Sequence, residues 1–172
     1  MKDGIIPLRT CHNDTKINNI LFNEETANVR CIVDLDTTMP GAAIHDFGDL
    51  VRTGCSDSPE NDTDLDNLTF DVGRFEALVD GYLSEAQFLN DTEIASLPMA
   101  GMLMTFEVGM RFLTDYLEGD HYFKIHQPHE NLIRARRQFA FVQLMEEIEP
   151  QLDAIVESAV ERSGKREFAE CF

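Results

Sequence analysis

Apolar residues recur at steps of three and four positions through the second half of the chain, which is the period of an amphipathic helix. The first helix is predicted over residues 70–83. Asn90 and Asp91 can cap the next segment, and Pro98 can begin a long helix that runs to about Leu117. The pattern therefore predicts a helical body.

The same pattern predicts how this body ends and what fills it. A final helix begins near Pro128 and runs towards Gly164, with Pro150 as a candidate kink. On the long helix, apolar side chains at helical spacing are predicted to be core positions, and these are Met99, Met102, Met104, Phe106, Met110 and Leu113.

Short β-type runs replace the helical period in the first third of the chain. "ILF" (20–22) and "VRCIVDLD" (29–36) flank the polar segment "NEETAN" and are predicted to form a β hairpin. "MPGAAIHDFGDLVRTG" begins with a Pro-Gly turn and then predicts a short helix that Gly54 closes. The acidic segment 55–67 is rich in turn residues and is predicted to be a solvated loop.

These elements predict one α+β domain that is mostly helical, with a small β hairpin beside the helices. Its parts are residues 1–54 (a polar loop, the hairpin and the short helix), the acidic loop 55–67 and the helical body 68–172. The 172 residues suffice for one hydrophobic core, and an apolar content of 43% is typical of a folded chain.

Charge and cysteine usage exclude several functions. With 32 acidic against 14 basic residues, the net charge of −18 argues against a nucleic-acid surface. It also implies that a phosphate ligand arrives with a cation. No apolar run reaches membrane-spanning length, so no membrane segment is predicted. The four cysteines lack CxxC spacing, which favours free thiols and a cytoplasmic protein over a zinc or disulfide framework.

The segment "HNDTKINNIL" (12–21) concentrates the residue types that phosphoryl transfer requires. Asp14 is followed by Lys16 after two positions and by Asn19 after five, and Asp34 comes after the next strand. A carboxylate can orient and deprotonate the attacking hydroxyl, a cation can contact the transferring phosphate, and oxygen ligands can hold Mg²⁺. Asp14 and Lys16 are therefore candidate catalytic residues, and Asn19 and Asp34 are candidate metal ligands.

This segment resembles the catalytic loop of the protein-kinase-like phosphotransferases, whose pattern is His-x-Asp, four residues, then Asn. "CIVDLDTTMPG" followed by "HDFGDLVRTG" is similar to the small-molecule branch, the aminoglycoside and choline kinases. The resemblance implies the C-terminal lobe of a protein-kinase-like fold and phosphoryl transfer with ATP and Mg²⁺ as cofactors. It also implies that His12 supports the loop structurally.

The resemblance implies different roles for the acidic residues that follow the loop. "DFG" at 46–48 spells the protein-kinase metal motif, but it lies 27 positions after Asn19, whereas Asp34 lies 15 positions after it at a strand end. The family's second metal carboxylate occupies the position of Asp34. Asp46 is therefore implied to brace the catalytic loop, and Asp36 is a further candidate metal or outer ligand.

Among these kinases the chain is similar to the N-acetylhexosamine 1-kinases, some of whose relatives carry the older name mucin desulfatase. The similar blocks include "FGDLVRTG" and "RFLTDYLEGDHYFKIHQPHENLIRARRQF". The resemblance implies an amino sugar as the acceptor, phosphorylated at its anomeric hydroxyl, and it implies Arg111 and Tyr122 as substrate-binding residues. A kinase for choline, homoserine or an aminoglycoside is the first alternative, and a non-catalytic lobe that acts as an interaction module is the second.

The family also has a large N-terminal lobe that grips the ATP phosphates, whereas only eleven residues precede His12 here. We therefore expect a C-terminal lobe without the N-terminal ATP-binding lobe, with little or no turnover on its own. Apolar surface around residues 20–36 is then expected to be exposed, and homo-oligomers are expected to form through it.

Three site assignments have competing structural interpretations. Lys16 can be an ordinary surface lysine instead of a phosphate contact. Arg111 can form a salt bridge with one of the many acids instead of contacting a sugar. Tyr122 can be a half-buried packing residue.

Overall fold

The structure of the protein, a computed structural model, describes residues 5–163. Strands and 3₁₀ turns occupy the first part of this range and helices the rest, so the predicted mostly helical α+β class is confirmed. The strands are β1 (Arg9–Cys11), β2 (Ile20–Phe22), β3 (Val29–Ile32) and β4 (Met39–Gly41), with 3₁₀ turns at Ile17–Asn19 and Leu35–Thr37. The helices are α1 (Ala43–Gly54), α2 (Val72–Glu85), α3 (Asp91–Ala95), α4 (Leu97–Glu118), α5 (Glu130–Glu147) and α6 (Glu149–Ser163).

The strands form two antiparallel pairs. β2 and β3 form the predicted hairpin, with Ile20 opposite Ile32 and a bulge near Phe22. β3 ends earlier than the predicted 29–36 run, because the chain turns into the second 3₁₀ turn there. β1 pairs with β4, and Cys11 lies opposite Met39. This second pair was not predicted, since strands of three residues are too short to show alternation.

The helix boundaries follow local signals in the sequence. α1 ends at Gly54 as predicted, and the predicted loop 55–67 contains no helix or strand. Asn90 accepts a hydrogen bond from the backbone N–H of Glu93, whose carboxylate accepts from the backbone N–H of Asn90, which is a capping box. Pro98 lies in the first turn of α4, where its missing N–H leaves no hydrogen bond unmade.

The prediction of one final helix was wrong, because the chain forms two helices with a break at Ile148. Pro150 lies in the first turn of α6, and it begins a new helix there instead of kinking an old one. The predicted end near Gly164 lies outside the described residues.

A close approach of α1 and α4 organises the core. A Cβ at Gly48 would lie against the carbonyl oxygen of Ala100 and 2.6 Å from Cγ of Met104, so only glycine lets the two helices meet at this distance. The ring of Phe47 is fully buried and lies 5.1 Å from the ring of Tyr82, which joins α1 to α2.

The outer side of α4 departs from the predicted core. Met102 is buried as predicted, but Met99, Phe106 and Met110 are exposed, with 51% of the Phe106 surface accessible. α4 is apolar on more than one side, and the described residues cover only the side that faces α1 and α5. Apolar periodicity alone does not tell which of two apolar faces is covered.

The β hairpin, the second 3₁₀ turn and the start of β4 carry a patch of exposed apolar side chains. Between 46% and 60% of each residue's surface is accessible at Leu21, Phe22, Val29, Ile32, Leu35 and Met39. We call these six residues the hairpin patch. The surface expected around residues 20–36 is therefore apolar and uncovered by the described part of the chain.

Two predictions from the sequence concern membrane-spanning segments and the cysteines. Within residues 5–163, none of the helices combines the length and apolarity that crossing a membrane requires. Cys11, Cys31 and Cys55 are free thiols, and Cys171 lies outside the described range. Burial raises the pKa of Cys55 to about 12, so this thiol is unreactive at neutral pH.

Candidate active site

The carboxylate of Asp46 ties the loop between β1 and β2 to α1. Its Oδ2 accepts from the backbone N–H of His12 and its Oδ1 from that of Asn13, both at 2.8 Å. The hydroxyl of Thr15 donates to the Asp46 carbonyl oxygen at 2.5 Å. Asp46 lies in the first turn of α1, where the helix dipole favours an anion. The start of α1 therefore determines where the loop lies.

His12 connects the loop to the segment after the hairpin. Its Nε2 lies 3.0 Å from the carbonyl oxygen of Val33, and its own carbonyl accepts from the hydroxyl of Thr37 at 2.7 Å. His12 thus joins the loop to residues 33–37.

Asn13 adopts a left-handed backbone conformation, with a φ of 60°. Its side-chain amide donates to the carbonyl oxygens of Thr37 and Met39 at 3.1 and 3.3 Å. Asn tolerates this conformation better than most residues because its short side chain can form such local hydrogen bonds. A Cβ at Gly41 would lie 2.6 Å from Oδ1 of Asn13, so a small residue is required opposite.

Lys16 and Asn19 contact Asp14, and Asp34 lies near Lys16. Oδ2 of Asp14 accepts from Nζ of Lys16 at 2.7 Å and from Nδ2 of Asn19 at 2.9 Å. The Asn19 amide also donates to the Asp14 carbonyl at 2.8 Å. Nζ of Lys16 lies 4.0 Å from Oδ2 of Asp34, so one ammonium group bridges two carboxylates. We call these four residues the loop cluster.

The loop cluster keeps Asp14 ionised. Burial raises the pKa of this carboxyl, but hydrogen bonds from Lys16 and Asn19 and the charge of Lys16 outweigh it, so the pKa lies below its ordinary value. Oδ1 of Asp14 has no hydrogen-bond partner among residues 5–163. One oxygen is therefore fixed, and the other can accept a hydrogen bond from a ligand.

Asp34 and Asp36 differ in their relation to the loop cluster. Asp34 has a left-handed backbone (φ 64°, ψ 52°) at the start of the second 3₁₀ turn, which directs the chain back past Lys16. Asp36 is exposed on that turn and forms no hydrogen bond or ion pair with the described residues. The structure brings Asp34 into the cluster and leaves Asp36 outside it.

The donor set of the loop cluster fits Mg²⁺ that retains other ligands. No group of three or more His, Cys, Asp or Glu side chains in residues 5–163 is arranged to hold a metal ion. Asn19 and Asp34 offer one amide oxygen and one carboxylate. Mg²⁺ is commonly bound through one or two carboxylates and completes its shell with water and substrate phosphates. The cluster thus suits a metal that arrives with a nucleotide.

Arg111 and Tyr122 contact each other but not the loop cluster. Nη2 of Arg111 lies 3.5 Å from the Tyr122 hydroxyl, and its guanidinium carbon lies 5.7 Å from the Tyr122 ring centre and 5.5 Å from that of Phe123. Both side chains are exposed. Within residues 5–163 no hydrogen bond, ion pair or ring contact joins them to the loop cluster.

Asp115 holds the segment that carries Tyr122, and the sequence interpretation missed it. Its carboxylate accepts from the backbone N–H groups of His121, Tyr122 and Phe123 at 2.9, 2.7 and 2.9 Å, and from the Asn131 amide at 2.8 Å. Burial raises its pKa, but these backbone hydrogen bonds outweigh it and leave the pKa below its ordinary value. A signal existed, because Asp115 continues the buried face of α4 at helical spacing.

A family comparison concerns the segment that contains the loop cluster. The family model of the phosphotransferase enzyme family matches residues 6–65, about a third of the chain. The matched segment contains the whole loop cluster and Asp46. Over this segment the chain is similar to phosphotransferases, and the similarity supports a kinase-type enzyme.

Proposed function

We propose that the loop cluster is the site at which the γ-phosphoryl group of ATP is transferred to a hydroxyl of a small molecule, with little turnover expected from this lobe on its own. The observation that carries this proposal is the state of Asp14, which is ionised, held through Oδ2, and unpartnered at Oδ1 within the described chain. The similarity of residues 6–65 to phosphotransferases supports the same reaction class.

Asp14 would orient the nucleophile. The acceptor hydroxyl donates its hydrogen bond to Oδ1 and turns an oxygen lone pair towards phosphorus. As the new O–P bond forms and the bond to the ADP oxygen breaks, the hydroxyl proton passes to the Asp14 carboxylate. A low pKa makes Asp14 a weak base, so the proton moves late, once bonding to phosphorus has acidified the hydroxyl. Orientation is then the main contribution of this residue.

Lys16 and the oxygen ligands would balance the phosphate charge. Lys16 donates to Oδ2 of Asp14, and its ammonium has hydrogens left for oxygens of the transferring group. Asn19 and Asp34 would hold Mg²⁺, with Asp36 as a more remote ligand. Mg²⁺, when bound, would neutralise negative charge on the nucleotide phosphates.

The acceptor proposed is an N-acetylhexosamine, phosphorylated at its anomeric hydroxyl. This choice rests on the resemblance of the blocks around Arg111 and Tyr122. Both side chains are exposed and mutually stacked, and Asp115 fixes the backbone of Tyr122. An exposed guanidinium beside an aromatic hydroxyl can contact the hydroxyl and acetamido groups of an amino sugar.

An acceptor panel tests the proposal and separates its alternatives. The protein is incubated with γ-labelled ATP, Mg²⁺ and one of N-acetylglucosamine, N-acetylgalactosamine, choline, homoserine or an aminoglycoside. Transfer to the C1 hydroxyl of an N-acetylhexosamine that is lost in Asp14→Asn supports it. Preference for an amine-bearing alcohol supports the other small-molecule kinases. Transfer that Asp14→Asn leaves unchanged contradicts the role of the loop cluster. Asp66→Asn, at an exposed acid whose side chain forms no hydrogen bond or ion pair within residues 5–163, is the charge-matched control.

A non-catalytic lobe is the second candidate, and the hairpin patch favours it. Six exposed apolar side chains on the hairpin and the segment that follows it are typical of an interaction surface. This candidate includes self-association through the patch. It predicts an intact fold that binds no nucleotide.

A further inference from the structure

Thr53, in the last turn of α1, contacts the loop that carries the loop cluster. Its hydroxyl oxygen accepts a hydrogen bond from the backbone N–H of Ile17 at 2.9 Å. The same hydroxyl donates its hydrogen to the carbonyl oxygen of Asp49 at 2.8 Å, so towards the loop it acts only as an acceptor. The end of α1 therefore holds the loop at a second point, in addition to Asp46.

The two points of contact lie on one face of α1. Asp46 and Thr53 are seven positions apart, which is about two helical turns and about 10 Å along the helix axis. Asp46 holds the residues on either side of Asp14, through the backbone of residues 12 and 13 and the hydroxyl of residue 15. Thr53 holds Ile17, two positions before Asn19. Each contact thus supports a different part of the loop cluster.

The hydrogen bond from Ile17 caps the 3₁₀ turn Ile17–Asn19. The first N–H groups of a helical turn have no partner within the turn, and a side chain just before it commonly supplies the acceptor. Lys16 occupies that cap position, but its side chain forms no capping hydrogen bond, because an ammonium group only donates. Thr53 supplies the missing acceptor from α1.

The capped turn ends at a candidate metal ligand. Asn19 is only 6% exposed, and its Nδ2 donates to both the carbonyl and Oδ2 of Asp14. Its carbonyl oxygen accepts from the backbone N–H of Val33 at 2.9 Å, directly before Asp34. With Nδ2 engaged in this way, Oδ1 of Asn19 is the side-chain atom left for a metal ion. Movement of the turn would therefore displace Asn19 and, through Val33, Asp34.

We infer that Thr53 is a positioning residue for the metal side of the loop cluster: it fixes the turn at Ile17 so that Asn19 presents its amide oxygen beside Asp14. The inference rests on the proposed function for the role of Asn19 as a metal ligand. Thr53 itself contacts neither substrate nor metal. Asp46, at the start of α1, supports the residue that orients the acceptor hydroxyl, and Thr53, at its end, supports the residue that binds Mg²⁺.

Two variants and a matched control isolate the contact with the loop. Thr53→Val retains the branched side chain and removes the acceptor of the Ile17 N–H, whereas Thr53→Ser retains the hydroxyl. Thr105→Val is the control, because the Thr105 hydroxyl also donates to a carbonyl four positions earlier, that of Gly101 at 2.7 Å. It forms no other hydrogen bond within residues 5–163. The control therefore loses the same bond within a helix but no contact with the loop.

NMR of the whole chain without metal or nucleotide measures the positioning directly. In Thr53→Val the backbone amide of Ile17 should exchange with solvent about ten-fold faster or more, because its hydrogen bond is lost. The side-chain amide signals of Asn19 should shift as its bonds to Asp14 loosen. Both observables should stay at their wild-type values in Thr53→Ser and Thr105→Val. A threonine that only stabilised α1 would lower the melting temperature without moving the Asn19 signals.

Mn²⁺ titration, followed by the relaxation of water protons, measures the consequence for metal binding. Thr53→Val should weaken Mn²⁺ binding about ten-fold or more, since groups that orient a ligand commonly change metal affinity by such a factor. Thr53→Ser and Thr105→Val should bind Mn²⁺ like the wild type. If Thr53→Val does not fold, Thr53→Ala replaces it with the same expected changes, because alanine favours the helix.

Three NMR results would overturn the inference: unchanged Asn19 signals in Thr53→Val, an equal change in Thr105→Val, or no recovery in Thr53→Ser. Mn²⁺ binding as tight in Thr53→Val as in the wild type would also overturn it. A wild type that binds no Mn²⁺ would instead contradict the metal role in the proposed function. The signals of Ile17 and Asn19 would then decide the positioning by Thr53 on their own, so the two failures are distinguishable.

Discussion

Nζ of Lys16 lies 2.7 Å from Oδ2 of Asp14, and the two residues of this ion pair are two positions apart in the same loop. The same ammonium is 4.0 Å from the Asp34 carboxylate. One cation thus serves two acids that would otherwise repel each other at close range. The arrangement leaves Asp14 ionised and its second oxygen available, which is the state that phosphoryl transfer to a hydroxyl requires.

The first prediction concerns the pKa of Asp14. In Lys16→Met this pKa should rise, because the variant loses both a hydrogen bond and a nearby positive charge while the burial that raises the pKa remains. A titration of the ¹³C carboxyl signal measures it. Lys124→Met removes an exposed lysine whose side chain forms no hydrogen bond or ion pair with the described residues, and it should leave the pKa of Asp14 unchanged. Equal values in wild type and Lys16→Met would show that the ion pair is absent in solution.

The second prediction concerns the close packing of α1 on α4, and it compares substitutions at two glycines. Gly48→Ala should destabilise the protein by about 1–3 kcal/mol, because its Cβ would press on the backbone of Ala100 and separate α1 from α4. Gly81→Ala should instead stabilise it by about 0.5–1 kcal/mol, because open space surrounds that position of α2. Urea unfolding measures both. Equal effects would contradict the packing of α1 on α4.

The third prediction is a pH dependence at Asp115. Its folded pKa lies below the ordinary value of 3.8, so the ionised carboxylate stabilises the native state above that pH. The contribution is lost as the pH falls through the folded pKa. Asp115→Asn should therefore lower the melting temperature at neutral pH, and its difference from wild type should shrink below pH 3.8. Glu118→Gln, at an exposed position on the same helix, is the control, and a difference independent of pH would contradict the assignment.

The fourth prediction concerns the hairpin patch. Light scattering should show a molecular mass that rises with protein concentration, because the patch leaves several large apolar side chains in water. Ile32→Glu should reduce this association. Thr69→Glu adds the same charge at an exposed site outside the hairpin and should not. A monomer at all moderate concentrations would remove the support for self-association.

Local signals in the sequence predicted much of the fold. Asn90 marks the start of α3, because its side-chain oxygen accepts a hydrogen bond from a backbone N–H in the first turn of the helix that follows it. The hairpin and the helix that Gly54 closes follow from short-range turn chemistry. The candidate residues of the loop cluster are close in sequence, apart from Asp34, which the hairpin returns to them. Short-range spacing was enough to bring these residues into one hypothesis.

Features that depend on tertiary contacts were not predictable in this way. The pairing of β1 with β4 places Arg9 opposite Gly41, 32 positions later, and both strands are too short to show a period. Asp115 looks like one more acid in an acidic chain until its three backbone partners are known. The exposed side of α4 depends on which neighbours cover it, and apolar spacing carries no information about that.

Binding of Mn²⁺, as a paramagnetic substitute for Mg²⁺, tests the central claim most directly. In ¹H–¹⁵N spectra of the whole chain, Mn²⁺ should broaden the amide signals of residues 14–19 and 33–36 first, and Asp34→Asn should abolish that pattern. Broadening confined to the acidic loop 55–67, or a pattern that Asp34→Asn leaves unchanged, would contradict a metal-assisted phosphoryl-transfer site at the loop cluster.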